Sequence, residues 1–250
     1  MRKILLIAGC SHAAGSEIDG TEDSEFNRIN SFGGVLAEKL GRDPINIACH
    51  GSTNSTISRS VLDWFQSQYN VESTDVFVLI AWTESSRMEI PVDEHHVTMF
   101  DTMYPHADWA SLSSRHYIRI NQGWKGGAEW EKQLIPQYQS FIAENQNYLE
   151  IYSANLVLQM QYFLQKLQVP YLMCNTMYMF GENKNLNFYL DLIDRDSYLD
   201  LNSKEGFYWK YRNLGYENKK ARYWHHDEVP HRLYAEELFQ QNLKARTKKG

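Results

Sequence analysis

The chain has 250 residues, 43% of them hydrophobic, and a formal net charge of −6. This length suffices for one substantial core, and no linker-like segment divides the chain, so we expect a single domain over residues 1–250. The basic residues do not gather on one helix, which argues against nucleic acid as a partner. No run approaches the ~20 apolar residues of a membrane span. We therefore expect no membrane association. The three cysteines each follow or belong to an apolar run, which predicts reduced thiols and a cytoplasmic protein.

Strand and helix patterns alternate in the first third of the chain. Residues 3–8 predict a strand, and residues 31–41 predict a helix with an N-cap serine and a terminal glycine. A second strand is predicted over residues 45–50, followed by a helix capped by Asn54 or Ser55 and a third strand over residues 75–82. Strands that are apolar throughout, with helices between them, are typical of a parallel sheet covered on both faces.

The regular pattern stops between residues 85 and 147. This segment has no clean period and is rich in Trp, Tyr and His, so it is interpreted as an insertion or lid, or alternatively as a packed surface excursion. Afterwards a helix, a strand and a short helix are predicted near residues 152–168, 170–177 and 186–194, and a last helix has Pro230 in its first turn. The whole pattern predicts a flavodoxin-like three-layer α/β/α sandwich with a parallel central sheet.

Polar segments follow the predicted strands, at the sheet edge where ligands bind in open parallel sheets. The first strand is followed by Gly-Cys-Ser-His-Ala-Ala-Gly, and the second by His-Gly-Ser-Thr-Asn-Ser. Trp-Thr-Glu-Ser-Ser-Arg ends the third strand, and Trp-His-His-Asp-Glu-Val-Pro-His leads into the last helix. A catalytic serine needs a base within hydrogen-bonding reach and donors for the oxyanion, and these segments contain such groups.

In this order, the segments resemble the blocks of the SGNH, or GDSL-type, hydrolase superfamily. Gly-Cys-Ser stands where the family has Gly-Asp-Ser, which implies that Ser11 is the nucleophile of an esterase site. The resemblance also implies that Gly51 is a backbone oxyanion donor and that His225, counted back from His231, is the catalytic histidine. Thr83, or alternatively Glu84, then occupies the position of the oxyanion-hole asparagine.

The chain departs from the family pattern three residues before the histidine, where the family has an aspartate and this chain has Arg222. An arginine cannot accept a hydrogen bond from the imidazole N–H. We therefore expect another acceptor, such as Asp227, Glu228 or a backbone carbonyl, to orient the ring of His225.

Other polar and aromatic residues near this edge are candidates for binding substrate. We expect this role for His12, Asn54 and Arg87, although helix capping explains Asn54 equally well. The tryptophans of the insertion, Trp124 among them, offer flat faces for a sugar or aromatic ligand. The predicted substrate is therefore a small-molecule or carbohydrate ester.

These patterns together predict a serine esterase or deacylase that uses no cofactor. The alternatives are an SGNH-like binding protein that has lost catalysis, an acyltransferase, and a metal-binding protein that uses His225, His226 and His231. Imidazoles and carboxylates are suitable zinc ligands, but their spacing here matches no standard zinc signature, so no metal is expected.

Overall fold

The computed structural model describes residues 3–67, 75–91, 117–120, 129–222 and 224–249. These residues contain the strands β1 (Ile4–Gly9), β2 (Asp43–Asn46), β3 (Val76–Trp82), β4 (Met88–Pro91), β5 (Tyr117–Ile120), β6 (Tyr171–Asn175) and β7 (Tyr198–Leu199). Their helices are α1 (Ser11–Ala14), α2 (Glu25–Asn30), α3 (Phe32–Leu40), α4 (Asn54–Ser67), α5 (Glu129–Glu144), α6 (Gln146–Lys166), α7 (Lys184–Asp191), α8 (Gly206–Asn213) and α9 (Glu228–Lys249).

A five-stranded sheet in the order β2-β1-β3-β6-β7 forms the centre of the fold. Every neighbouring pair in it is parallel, and the carboxyl ends of its strands therefore lie at one edge. Once the separate β4–β5 ladder is set aside, this is the strand order of a flavodoxin-like sheet. The predicted parallel sheet is confirmed.

The two faces of the sheet bury separate apolar clusters. Alternate side chains of β3 point to opposite faces: Val78 and Ile80 pack with α4 and α6, and Phe77 and Leu79 pack with α3 and α9. Helices thus cover both faces, and the predicted α/β/α architecture is confirmed. None of the described helices is long and apolar enough to cross a membrane.

The helix caps agree with the sequence prediction at α3 and differ at α4. Ser31 caps α3 by accepting the backbone N–H of Gly34, and Gly41 ends the helix in a left-handed conformation, as predicted. At α4 the cap is Thr53, whose Oγ1 accepts the N–H of Thr56 at 3.0 Å. The prediction that Asn54 or Ser55 caps this helix is wrong, because the helix already includes both residues.

The prediction of an irregular segment over residues 85–147 is wrong for its described parts. β4 pairs with β5 in an antiparallel ladder, and α5 is a 16-residue helix. Pro136 lies inside α5, and proline is normally a signal against a helix interior, which explains why the sequence pattern concealed it. Two further elements, α8 and the two-residue strand β7, were also not predicted from the sequence.

Candidate active site

Ser11 lies where β1 passes into α1, and two glycines permit this sharp turn. A Cβ on Gly9 would lie 2.5 Å from Cβ of Ala13 and 2.9 Å from the carbonyl oxygen of Ala81. Gly15 ends α1 with a left-handed φ of 76°, and a Cβ on this residue would collide with the backbone of Asn27. The two glycines therefore hold Ser11 in the first turn of α1, at the carboxyl end of β1 and 7% exposed.

A buried carboxylate, that of Glu17, binds the imidazole of His225. Oε2 of Glu17 lies 2.6 Å from Nδ1 of His225, and Oε1 accepts the backbone N–H of Arg222 at 2.8 Å. Glu17 is 1% exposed, and its φ of 65° places it in the left-handed region, which is strained for a residue with a side chain. Arg222 stands at the position of the SGNH aspartate. It thus contributes its backbone N–H to Glu17, an acid from the loop after α1.

The acceptors expected for His225 have other partners. Oδ1 of Asp227 accepts the N–H of Val229 at the start of α9, and Glu228 forms an ion pair with Arg232 at 2.8 Å. The prediction of Asp227 or Glu228 as the orienting group is therefore wrong. Glu17 was missed because it stands among other acidic residues in a polar loop, 208 positions from the histidine.

The contact with Glu17 defines the protonation of the His225 ring. An ionised carboxylate only accepts hydrogen bonds, so Nδ1 carries the proton and Nε2 is left with a free lone pair. Burial lowers the pKa of His225, while the hydrogen bond and charge of Glu17 act in the opposite direction. The ring is therefore neutral near pH 7, which is the state that a general base requires.

His12 lies in α1, the turn that holds Ser11, and its ring contacts that of His225. It follows Ser11 directly, and its ring centroid lies 5.0 Å from that of His225 and 5.2 Å from that of Tyr208. Burial, and secondarily the charge of His225, hold the pKa of His12 well below its ordinary value. Its Nδ1 is buried and has no hydrogen-bond partner among the described residues. His12 is therefore a neutral side chain that lies beside His225, on the residue that follows Ser11.

The loops after β2 and β3 are arranged differently from each other. Gly51 has a φ of 65°, and a Cβ built on it meets no described atom within 4 Å, so its backbone borders open space. Thr83 is completely buried, and its Oγ1 has no hydrogen-bond partner among the described residues. An oxyanion role for Thr83 therefore requires the loop after β3 to move.

Asn54 holds the loop after β3 in place. Its Oδ1 accepts the N–H of Thr83 at 2.9 Å, and its Nδ2 donates to the carbonyl of Thr83 at 3.2 Å and to Oγ of Ser153 at 3.1 Å. The side chain is buried and fully occupied by these bonds. In the structure Asn54 thus positions the loop after β3, and its contact with substrate stays a prediction.

Arg87 contributes positive charge to the site. Its Nε donates to Oε1 of Glu84 at 2.7 Å, and its charge lowers the pKa of both His12 and His225. Arg87 is thus one of the charges that act on the two imidazoles, and its contact with substrate stays a prediction. Trp124 lies outside the described residues, and its role in substrate binding stays a prediction.

The histidines proposed as metal ligands bind separate groups. Nε2 of His226 donates to the carbonyl of Tyr208 at 2.9 Å, and Nδ1 of His231 accepts the N–H of Phe32 at 3.1 Å. In the described part of the chain, no three His, Cys, Asp or Glu side chains are grouped to hold a metal ion. These contacts give each histidine a separate structural partner.

Comparison with known proteins finds a distant structural similarity. No protein-family model matches the sequence, and no curated protein matches it. Among solved structures, the chain is similar to a protein of Desulfitobacterium hafniense DCB-2 that is provisionally described as a lipolytic protein of the G-D-S-L family. The two chains are 11% identical, and the match covers 96% of this chain and 99% of that one with a TM-score of 0.34.

Proposed function

We propose that this protein is a serine ester hydrolase in which Ser11, His225 and Glu17 act together. The observation that carries the proposal is the 2.6 Å contact between Glu17 and His225. It joins a buried carboxylate to a buried imidazole at the carboxyl edge of the sheet, beside the turn that presents Ser11. An acid that orients a histidine next to a serine is the arrangement by which a hydroxyl is activated.

The first half of the reaction forms an acyl-enzyme. Oγ of Ser11 attacks the ester carbonyl carbon, and Nε2 of His225 takes the hydroxyl proton as the new C–O bond forms. The ring is then an imidazolium, whose charge the carboxylate of Glu17 stabilises through Nδ1. When the tetrahedral intermediate collapses, the bond to the leaving alcohol breaks and the alcohol oxygen takes the proton from His225.

The second half releases the acid. A water molecule gives a proton to His225 as it attacks the acyl carbon, and Oγ of Ser11 recovers that proton as it leaves. The negative oxygen of each intermediate needs backbone donors, for which we propose the N–H groups of Ser11 and Gly51. Open space beside Gly51 supports this assignment, since a substrate oxygen has to approach that N–H directly.

Glu17 also bears on the alternative of an SGNH-like binding protein that has lost catalysis. That alternative depends on the loss of both the family's aspartate and its oxyanion asparagine, and the contact between Glu17 and His225 supplies an acid in place of the aspartate. We propose a short acyl group on a small molecule or a carbohydrate as the substrate. An acyltransferase shares the first half of the reaction and differs only in its acceptor, an alcohol in place of water.

Covalent labelling tests the proposal directly. A fluorophosphonate probe should label the wild-type protein at one residue, and mass spectrometry of the digested adduct should identify that residue as Ser11. Ser11→Ala should abolish labelling and the hydrolysis of p-nitrophenyl acetate without loss of stability. Ser55→Ala is the matched control, because Ser55 lies in the first turn of α4 at the same edge and its Oγ contacts the exposed hydroxyl of Tyr152 at 3.1 Å. Labelling that persists in Ser11→Ala would refute the proposal.

A further inference from the structure

A cavity of about 250 Å³ lies beside His225, and nothing in the proposed reaction has yet used it. Its walls include His225 itself, three aromatic side chains and two arginines: Tyr208, Tyr216, Trp224, Arg212 and Arg222. This volume is close to that of a single small ring compound, at the lower end of ligand pockets.

Two of the cavity's walls lie in or beside the candidate active site. His225 is the proposed base, and the ring of Tyr208 lies 5.2 Å from that of His12, the neighbour of Ser11. In the proposed reaction, His225 gives its proton to the leaving alcohol. That alcohol must therefore pass beside His225, which is where this cavity lies.

Trp224 presents a flat surface at the cavity. Its side chain is 65% exposed, although tryptophan is normally well covered, and its φ of 72° holds the backbone in the left-handed region. Non-glycine residues in this region often mark functional sites. The guanidinium carbon of Arg212 lies 4.8 Å from the centroid of the Trp224 ring, so that Trp224 and Arg212 form a stacked pair.

The charges in the cavity favour an anion. Arg212 donates to the hydroxyl of Tyr208 at 2.7 Å and, among the described residues, has no carboxylate within ion-pairing distance. The cavity walls also carry a second arginine, Arg222, and one acid, Glu217. A guanidinium fixed against aromatic rings, with unused N–H donors, is suited to binding a carboxylate or phosphate.

We propose that this cavity binds the leaving alcohol of the ester, and that this alcohol is a ring compound bearing an acidic group. The ring stacks on Trp224, and the acidic group binds Arg212. This inference rests on the proposed function, because the position of the alcohol follows from proton transfer by His225. A uronic acid and an aromatic hydroxy acid share this chemistry, and the experiment separates them.

The test compares the hydrolysis of the acetyl ester in two compounds of similar shape, 4-acetoxybenzoate, which carries a carboxylate, and its uncharged methyl ester. Wild-type protein should show a higher kcat/KM for the acid. Arg212→Gln should reduce the ratio of the two values roughly tenfold, since a charge-assisted hydrogen bond is lost, and Trp224→Ala should raise KM for both esters. Arg195→Gln is the matched control, because Arg195 is an exposed surface arginine paired with Asp191 at 3.8 Å, and it should leave the ratio unchanged.

A binding measurement that needs no turnover accompanies the kinetic one. Calorimetric titration with 4-hydroxybenzoate, its methyl ester, glucuronate and glucose should show binding of at least one acid and neither neutral compound, and Arg212→Gln should abolish it. The acid that binds identifies the type of ring. Hydrolysis of both esters with equal kcat/KM would overturn this inference and leave the proposed function intact. Binding of an acid through Arg212 without hydrolysis of either ester would overturn the proposed function and the leaving-group role, and absence of both would overturn both proposals.

Discussion

The carboxylate of Glu17 lies 2.6 Å from Nδ1 of His225, although 208 positions separate the two residues in the chain. Both partners of this hydrogen bond are buried, because each side chain is less than a tenth exposed. A second contact, from the N–H of Arg222 to Oε1, holds the carboxylate in one orientation. The acid and the imidazole therefore form a single buried unit with a defined proton position.

Glu17→Gln tests that proton position. The amide oxygen can still accept from Arg222, but the amide nitrogen is a donor toward Nδ1, so the proton of the imidazole moves to Nε2 and the lone pair is lost. We expect kcat for p-nitrophenyl acetate to fall by about 10²–10⁴, with a small change in melting temperature. Glu25→Gln, an exposed acid on α2, is the control and should keep full activity. Unchanged kcat in Glu17→Gln would contradict the assignment.

The acid limb of the pH profile tests the environment of His225. Its pKa is lowered by burial, with His50 and Arg87 adding to that effect and Glu17 opposing it. The base works only when neutral, so kcat/KM should persist below pH 6.5 and fall at lower pH, as the imidazole becomes protonated.

Arg87→Gln should move that acid limb to higher pH. The variant removes a positive charge that disfavours protonation, so the pKa of His225 rises and activity is lost earlier on acidification. p-Nitrophenyl acetate is the appropriate substrate because it carries no net charge. Arg195→Gln, on the surface, should leave the limb in place. A shift of the Arg87→Gln limb to lower pH would contradict the electrostatic assignment.

Gly9→Ala tests the close packing that places Ser11. The added methyl group would overlap Ala13 and the carbonyl of Ala81, so we expect a loss of about 1–3 kcal/mol in the free energy of unfolding and a marked loss of activity. Gly41→Ala is the comparison, since Gly41 has a left-handed φ of 62° but no atom within 4 Å of the new Cβ among the described residues. It should cost about 1–2 kcal/mol through backbone strain alone and leave kcat unchanged. Full activity in Gly9→Ala would show that the turn tolerates displacement.

Asn54→Ala tests the support of the loop after β3. Three hydrogen bonds are lost, and the buried N–H and carbonyl of Thr83 lose their contacts with this side chain. We expect the free energy of unfolding, measured in urea, to fall by about 1–3 kcal/mol. Asn155→Ala, which loses one bond to the carbonyl of Ile151 on the partly exposed side of α6, should cost about 0.5–1.5 kcal/mol. Equal losses in the two variants would show that Asn54 does not hold the loop.

The sheet could be predicted from the sequence because its strands are buried on both faces. The runs that became β1, β3 and β6 are apolar at nearly every position, and serine and glycine signals mark both ends of α3. α5 could not be predicted in the same way, since Pro136 interrupts its pattern, and β7 is only two residues long. Local patterns therefore reveal those elements whose burial is uniform and whose ends carry explicit signals.

The candidate site could be predicted only in part, for a different physical reason. Ser11 and His225 were proposed because their segments, after the first strand and before the last helix, resemble the first and last blocks of the SGNH superfamily. Glu17 is one of several acids in a polar loop, and only the tertiary fold selects it by burying it against His225. Asn54 likewise stands at a helix start, a place that suggests capping, and its bonds to Thr83 depend on how α4 packs beside β3.

The placement of Glu17 has a consequence for recognising other proteins of this kind. The proposed nucleophile and acid lie together in one seven-residue stretch, Ser-His-Ala-Ala-Gly-Ser-Glu, and only the histidine comes from the far end of the chain. A sequence signature that demands an aspartate three residues before the histidine will pass over any chain built this way. A signature that pairs a serine after the first strand with a glutamate six residues later would detect them, and would divide serine hydrolases of this fold by the origin of their acid.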